Sequence, residues 1–144
     1  MALVSGGQRG HAVLEVAFLL PMLAFCFLGA FNAGSCAFAL VCVERAARVA
    51  GMYASTSEAT AQNPTLACYY ALEQLRAAPN VGSGVNSCGI APVVLATQYL
   101  PLGSDRLPSV RVSVSYTTPT LLPIPGVMTG AYTFHRVVEF PIRG

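Results

Sequence analysis

The sequence predicts an α+β chain: one long N-terminal transmembrane helix, then a small domain with a second helix and an antiparallel sheet of about three strands. Three observations predict it. The 144 residues are 54% hydrophobic and only 10% charged, with a mean hydropathy of +0.59, whereas an ordinary soluble domain is roughly a quarter charged. The excess is gathered in one run, VAFLLPMLAFCFLGAFNAGSCAFALVCV, and between Glu15 and Glu44 there is no ionisable side chain except thiols. Beyond Pro92 the apolar period changes to two, the mark of strands with one buried face.

Met1–Gly10 (MALVSGGQRG) is glycine-rich, carries one arginine and holds nothing that builds structure. As a helix, the apolar run would reach roughly 40 Å against a hydrocarbon core of about 30 Å, so it can cross a bilayer with turns to spare. VERAARVAGMYAST continues it amphipathically, with Ala46, Val49, Ala50 and Tyr53 near i, i+3, i+4, i+7 spacing. The helix is therefore expected from about His11 to the late fifties.

Asn63-Pro64, an N-cap followed by proline at the first helical position, opens a second helix. Leu66, Tyr69, Tyr70, Leu72 and Leu75 are its expected apolar side, and Pro79-Asn80 its end. NVGSGVNSCGIAP reads as loop. Val93–Leu100 is a strand, and so is Ser109–Tyr116, with Val110, Val112, Val114 and Tyr116 inward. Ala131–Phe140 is the third, with Tyr132, Phe134, Val138 and Phe140 on one side; Arg136 interrupts that side and points to a bulge or an edge strand. PTLLPIPGVMTG, between the last two strands, reads as a covering loop or a single helical turn. A domain this small is marginal alone, so packing on the helix extension and covalent crosslinking both matter.

The residue inventory excludes several functions. There is no HExxH, P-loop, dinucleotide-binding glycine pattern, CxxC or GxSxG. VGSG near Val81 is a loop glycine cluster, and the six carboxylates are scattered singly, so no enzyme is expected. Eight arginines without lysine are spread thinly and make no nucleic-acid face. Cys26, Cys36 and Cys42 lie on the apolar helix, where a thiol behaves as a small hydrophobe. Cys68 and Cys88 lie beyond it, twenty positions apart, and a disulfide is the economical reading in an oxidising compartment. Closing that loop would stabilise by roughly 3 kcal/mol in the chain-entropy model. Two cysteines are too few for a metal, and neither His11 nor His135 is close in sequence, so no metal or cofactor is expected.

A cleavable secretory signal has an apolar region of about 7–15 residues. This run is longer, although Ala37 and Ala39 give a small-x-small match. Arg9 and the α-amine flank the run on one side, Arg45 and Arg48 on the other, so positive charge does not orient it.

One constellation stands out. In RG-HAVLEVAFLLP, Gly10 precedes an apolar segment with a single carboxylate, Glu15, at its fifth position. This resembles the processing region of type IV pilins. More specifically, RG-HAVLEVAFLLPML, the small residues after it and ERAARVAGMYAS resemble TadE-like pseudopilins of the tight-adherence pilus system. Gly10, Glu15, Pro21 and Ala46-Ala47-Arg48 occupy the places of that family's RG-x-A-x-x-E-x-A, later proline and A-A-R-x-A segment. VRVSVSYTTPTLLPIPGVMTG is similar to its strand and proline-rich follow-on. Val16 departs from the phenylalanine often found there, and residues 55–108 carry little of the likeness.

The resemblance implies a prepilin-type leader over residues 1–10, cut by a prepilin peptidase to leave His11 first. It implies a transmembrane and assembly helix over 11–60 and an extracytoplasmic α+β domain over 61–144. It further implies a minor pilin or pilus-assembly component for surface attachment, held in the inner membrane and drawn into a filament. Its partners would be other pilins, the inner-membrane assembly platform and membrane lipid.

Physical chemistry is consistent with those roles. A carboxylate in an apolar helix costs up to about 3 kcal/mol at mid-bilayer. After cleavage Glu15 would lie one turn from a helix N-terminus and a free α-amine, both positive. Pro21 removes an intrahelical bond, and membrane helices tolerate that. Gly29, Ala33 and Ala37, with Ala30 and Gly34 beside them, offer a small-residue face for helix packing. Plain alanine-rich composition, an interfacial Glu15 and a bland proline kink remain the alternatives, as does a single-pass anchored binding module that never polymerises.

Overall fold

The computed structural model describes the backbone of residues 8–119 and 130–143, and side chains from Val13 onward within those ranges. The chain runs α1 (Gln8–Ala54), α2 (Glu58–Ala61), α3 (Pro64–Leu75), β1 (Gly89–Ile90), β2 (Val93–Leu100), β3 (Ser109–Thr117) and β4 (Thr133–Pro141). It has the expected α+β layout. Two compact units divide inside α1, one ending at Ser35 and the other starting at Cys36.

In the first unit the helix is a bare apolar rod. Val13, Leu14, Val16, Phe18, Leu20, Phe25 and Phe27 are all more than half exposed. Helix α1 is long and apolar enough to cross a membrane, with a mean hydropathy of 2.2 in its most apolar window, none of which is buried inside the chain. A core helix of a soluble protein would be covered there.

In the second unit the same helix becomes a core element. Ala39, Ala46, Ala47, Ala50 and Ala54 are fully buried, with Cys42 and Val43 nearly so. The helix ends at Ala54, earlier than expected. The Ser55 and Thr56 hydroxyls donate to the Met52 and Tyr53 carbonyls, and Ser57 caps the next turn reciprocally with Thr60. Small hydroxylated residues compete for backbone groups and favour a new cap over continuation.

Helix α3 starts as its sequence requires, with Asn63 Oδ1 accepting the Thr65 N–H at 3.0 Å and Pro64 in its first turn. Its buried face differs from the expected one. Ala67, Ala71, Leu72, Leu75 and the following Ala78 are buried, while Leu66, Tyr69 and Tyr70 are exposed. Alanines let the helix approach closely, leaving the larger side chains at the rim. There Tyr70 packs on Tyr53 with ring centroids 4.6 Å apart.

The sheet is antiparallel in the order β1-β2-β3-β4. The extra strand β1 comes from the segment read as loop: Gly89 and Ile90 fold back on Val94 and Val93 through a cis Ala91–Pro92 bond. On the inner face the register forms four rows: Val93–Tyr116–Phe134, Leu95–Val114–Arg136, Thr97–Val112–Val138 and Tyr99–Val110–Phe140. The outer face is polar and open, with Arg111 paired to Glu139 at 3.2 Å. Strand β4 is an edge with an unbroken register opposite β3, so the edge explains Arg136 and a bulge does not.

Strand β4 lies along α1 and runs in the same direction. Arg136 meets Glu44, Val138 and Phe140 close on Gly51, and the Arg143 N–H donates to the Ser55 carbonyl at 2.9 Å.

Candidate assembly surface and domain groove

The residues singled out by sequence lie mostly on one helix, α1. Gly10 and His11 are helical in backbone, since α1 begins at Gln8 rather than at His11, and their side chains lie outside the described residues. Glu15 is exposed on the apolar rod and makes no ion pair among the described residues. Pro21 sits inside α1, and the helix continues through it. Membrane-type helices accommodate proline when the freed carbonyl finds other partners.

Gly29, Ala33 and Ala37 follow at i, i+4 and i+8, and all three are exposed. A Cβ built on Gly29 or on Gly34 would meet nothing within 4 Å. The small-residue face is thus uncovered, and flanked by exposed Phe25, Phe31 and Phe38. Such a face lets a second helix approach closely, while bulky neighbours close around the contact.

Cys68 and Cys88 are joined, with their Cα atoms 5.8 Å apart. The bridge ties the buried side of α3 to the segment just before β1, across twenty positions. Cys26, Cys36 and Cys42 are free thiols. Beside the bridge lies a groove of about 490 Å³, lined among others by Tyr69, Leu72, Arg76, Val85 and Leu95. Its walls are largely apolar, with one guanidinium at the rim; Arg76 is also paired with Glu73 at 3.1 Å. No group of three or more metal-ligating side chains occurs among the described residues.

Sequence reasoning missed a charged cluster. Glu44 Oε1 accepts from Arg48 Nη2 at 2.9 Å and lies 3.7 Å from Arg136 Nη2. The Glu44–Arg48 spacing of four was readable as a helical pair. Arg136 was not, because only the inward register of β4 brings it across. On the opposite face, Glu139 accepts the Ser104 N–H at 2.8 Å, the Ser104 hydroxyl at 3.1 Å and Arg111. These bonds, the backbone one first, hold its carboxyl below the ordinary range. No family model, curated protein or solved structure matches the chain.

Proposed function

We propose that the chain is a minor pilin or pseudopilin of a tight-adherence-type pilus, supporting pilus biogenesis and surface attachment. In this reading α1 sits in the inner membrane with the α+β domain outside the cytoplasm. The helix then packs against other pilins, at the assembly platform or within an extracellular filament. A prepilin peptidase cuts after Gly10, and the chain does no covalent chemistry of its own.

The observation that carries the reading is the helix itself. Its most apolar window buries nothing within the chain, and Gly29, Ala33 and Ala37 beyond are exposed among the described residues, while its second part is the core of a crosslinked domain. One helix thereby joins an exposed apolar segment, which lipid or partner helices would cover, to a domain with a core of its own. Together with Gly10, Glu15 and Pro21, this is the layout the TadE-like resemblance implies. Glu15 is retained at a desolvation cost, which makes sense if the α-amine of His11, in the same or a neighbouring subunit, becomes its partner after processing.

N-terminal sequencing and intact mass of the chain from membranes test this directly, with His11 expected as the first residue. A mature chain starting at Met1 or near Leu40 removes the pilin reading. Glu15→Leu should insert at least as well and keep its disulfide, yet fail to enter sheared surface filaments. Normal incorporation of that variant would remove the assembly role of Glu15.

The groove beside Cys68–Cys88 favours a second reading, an anchored module that docks a partner and never polymerises, since its volume is in the range of ligand sites. Such a module needs no cleavage after Gly10, so the same N-terminal measurement separates the two.

A further inference from the structure

We propose that Arg45, Arg48 and Arg136 form a collar that binds the anionic headgroups of the bilayer from which α1 emerges. The proposal rests on the reading that α1 spans a membrane and requires nothing of pili. Arg48 and Arg136 meet Glu44, and Arg45, next to Glu44 in sequence, is exposed and unpaired among the described residues; three arginines thus accompany one carboxylate, an excess of +2 that equals the formal net charge of the chain. The other five arginines are matched by five carboxylates elsewhere. An excess equal to the charge imbalance of the molecule is therefore carried by one turn of α1 and the strand residue that reaches it.

Placement gives that charge its partner. Arg45 and Arg48 follow at once on the apolar run, after the exposed Phe38, Leu40 and Val41. Arg136 joins them from ninety positions away, because β4 lies along α1 with its N-terminal end nearest the point where the helix enters the domain. Helical side chains lean toward the N-terminus, so Arg45 and Arg48 lean to that same end. Their long stems can carry the charge to headgroup level while lying on apolar surface. Tyr132, just before β4, is 40% exposed at this end, and tyrosine is enriched at membrane interfaces.

Internal pairing does not account for the collar. Arg136 occupies an inward row otherwise filled by Leu95 and Val114. The Glu44 and Arg136 side chains remain 42% and 54% exposed, and a pair so wetted contributes little to stability. Arg45 is exposed and has no ion pair among the described residues. Lipid phosphate is the fitting ligand, since a guanidinium fork matches its oxygens two at a time.

The full chain is reconstituted in vesicles of phosphatidylcholine with a minority of phosphatidylglycerol and re-extracted in minimal detergent. The retained lipid is then quantified by mass spectrometry. Phosphatidylglycerol should be enriched over its share of the bilayer. Arg45→Gln should lower that enrichment roughly fivefold, the weight of one basic side chain at an anionic surface. Arg45→Gln/Arg48→Gln/Arg136→Gln should abolish it, whereas Arg76→Gln/Arg106→Gln/Arg143→Gln, removing the same charge elsewhere, should leave it intact. Glu44→Gln should raise it, a gain that unfolding cannot mimic. Unchanged enrichment in the collar variant, or equal loss in the control, overturns the proposal. A chain stripped from the vesicles by alkaline carbonate overturns the membrane reading and the collar with it; firm insertion without enrichment overturns the collar alone.

Discussion

The buried hydroxyl of Tyr116 donates to Asn80 Oδ1 at 3.0 Å and to the adjoining Pro79 carbonyl at 2.6 Å. Asn80 adopts φ 62° and returns a bond from Nδ2 to the Thr117 carbonyl at 3.2 Å. The turn after α3 is thus fastened to the end of β3, and burial pushes the Tyr116 hydroxyl pKa up. Tyr116→Phe should destabilise the domain by about 1–3 kcal/mol, because it strands a carbonyl and an amide oxygen. Asn80→Val should cost more than Asn80→Gly, since a β-branched residue resists the left-handed conformation that glycine accepts. Unfolding of the detergent-solubilised chain, followed by near-ultraviolet circular dichroism, should give that order.

Gly51 is a packing requirement. A Cβ there would lie 2.6 Å from the Phe140 ring and 3.2 Å from Val138. Gly51→Ala should therefore cost about 1–3 kcal/mol by overpacking, despite alanine's better helix propensity. Adding Phe140→Leu should recover part of the loss, and a double-mutant cycle on thermal unfolding would show the coupling. Additive losses would contradict the contact.

The Cys68–Cys88 bridge should survive peptide mapping of the protein under non-reducing conditions, with Cys26, Cys36 and Cys42 recovered as thiols. Cys68→Ser/Cys88→Ser should destabilise the domain by roughly 3 kcal/mol. The loss should appear as protease sensitivity of the domain with membrane insertion unchanged.

Glu139 sets an acid limit. Its folded pKa lies below its unfolded one, so its contribution is fully present above the unfolded value of about 4.3 and fades as pH falls through the folded value. Glu139→Gln should flatten the acid limb of a stability–pH curve, leaving the neutral region only slightly altered because the pair with Arg111 is exposed. An unchanged acid limb in the variant would assign the transition to other carboxylates.

Much of this fold was legible because local signals carried it. The apolar run, the Asn63-Pro64 cap and the alternation in SVRVSVSY each depend on neighbours in sequence, and Cys68 and Cys88 were the two cysteines outside the apolar helix. The misreadings came where distant packing decides. Of the apolar side expected for α3, Leu72 and Leu75 are inside, but Leu66, Tyr69 and Tyr70 are not, and closeness of approach selected Ala67, Ala71 and, just past the helix, Ala78 in their place. Strand β1 exists only because β2 offers it an edge, and two residues carry no period. Of the candidate site, the Glu15 and small-residue positions were readable on one helix. Arg136 at Glu44 depended on the register of a strand that follows it by ninety positions.

The side-by-side course of α1 and β4 has a mechanical consequence. Glu44–Arg136, Gly51–Phe140 and Ser55–Arg143 are spaced along the same axis and point the same way. Tension applied along α1 loads these contacts in shear, all together, instead of peeling them apart in turn. A domain hung on its helix in this manner resists being pulled off it by the combined strength of the seam, and the missing side chain at Gly51 is what lets the two bear on one another at its middle.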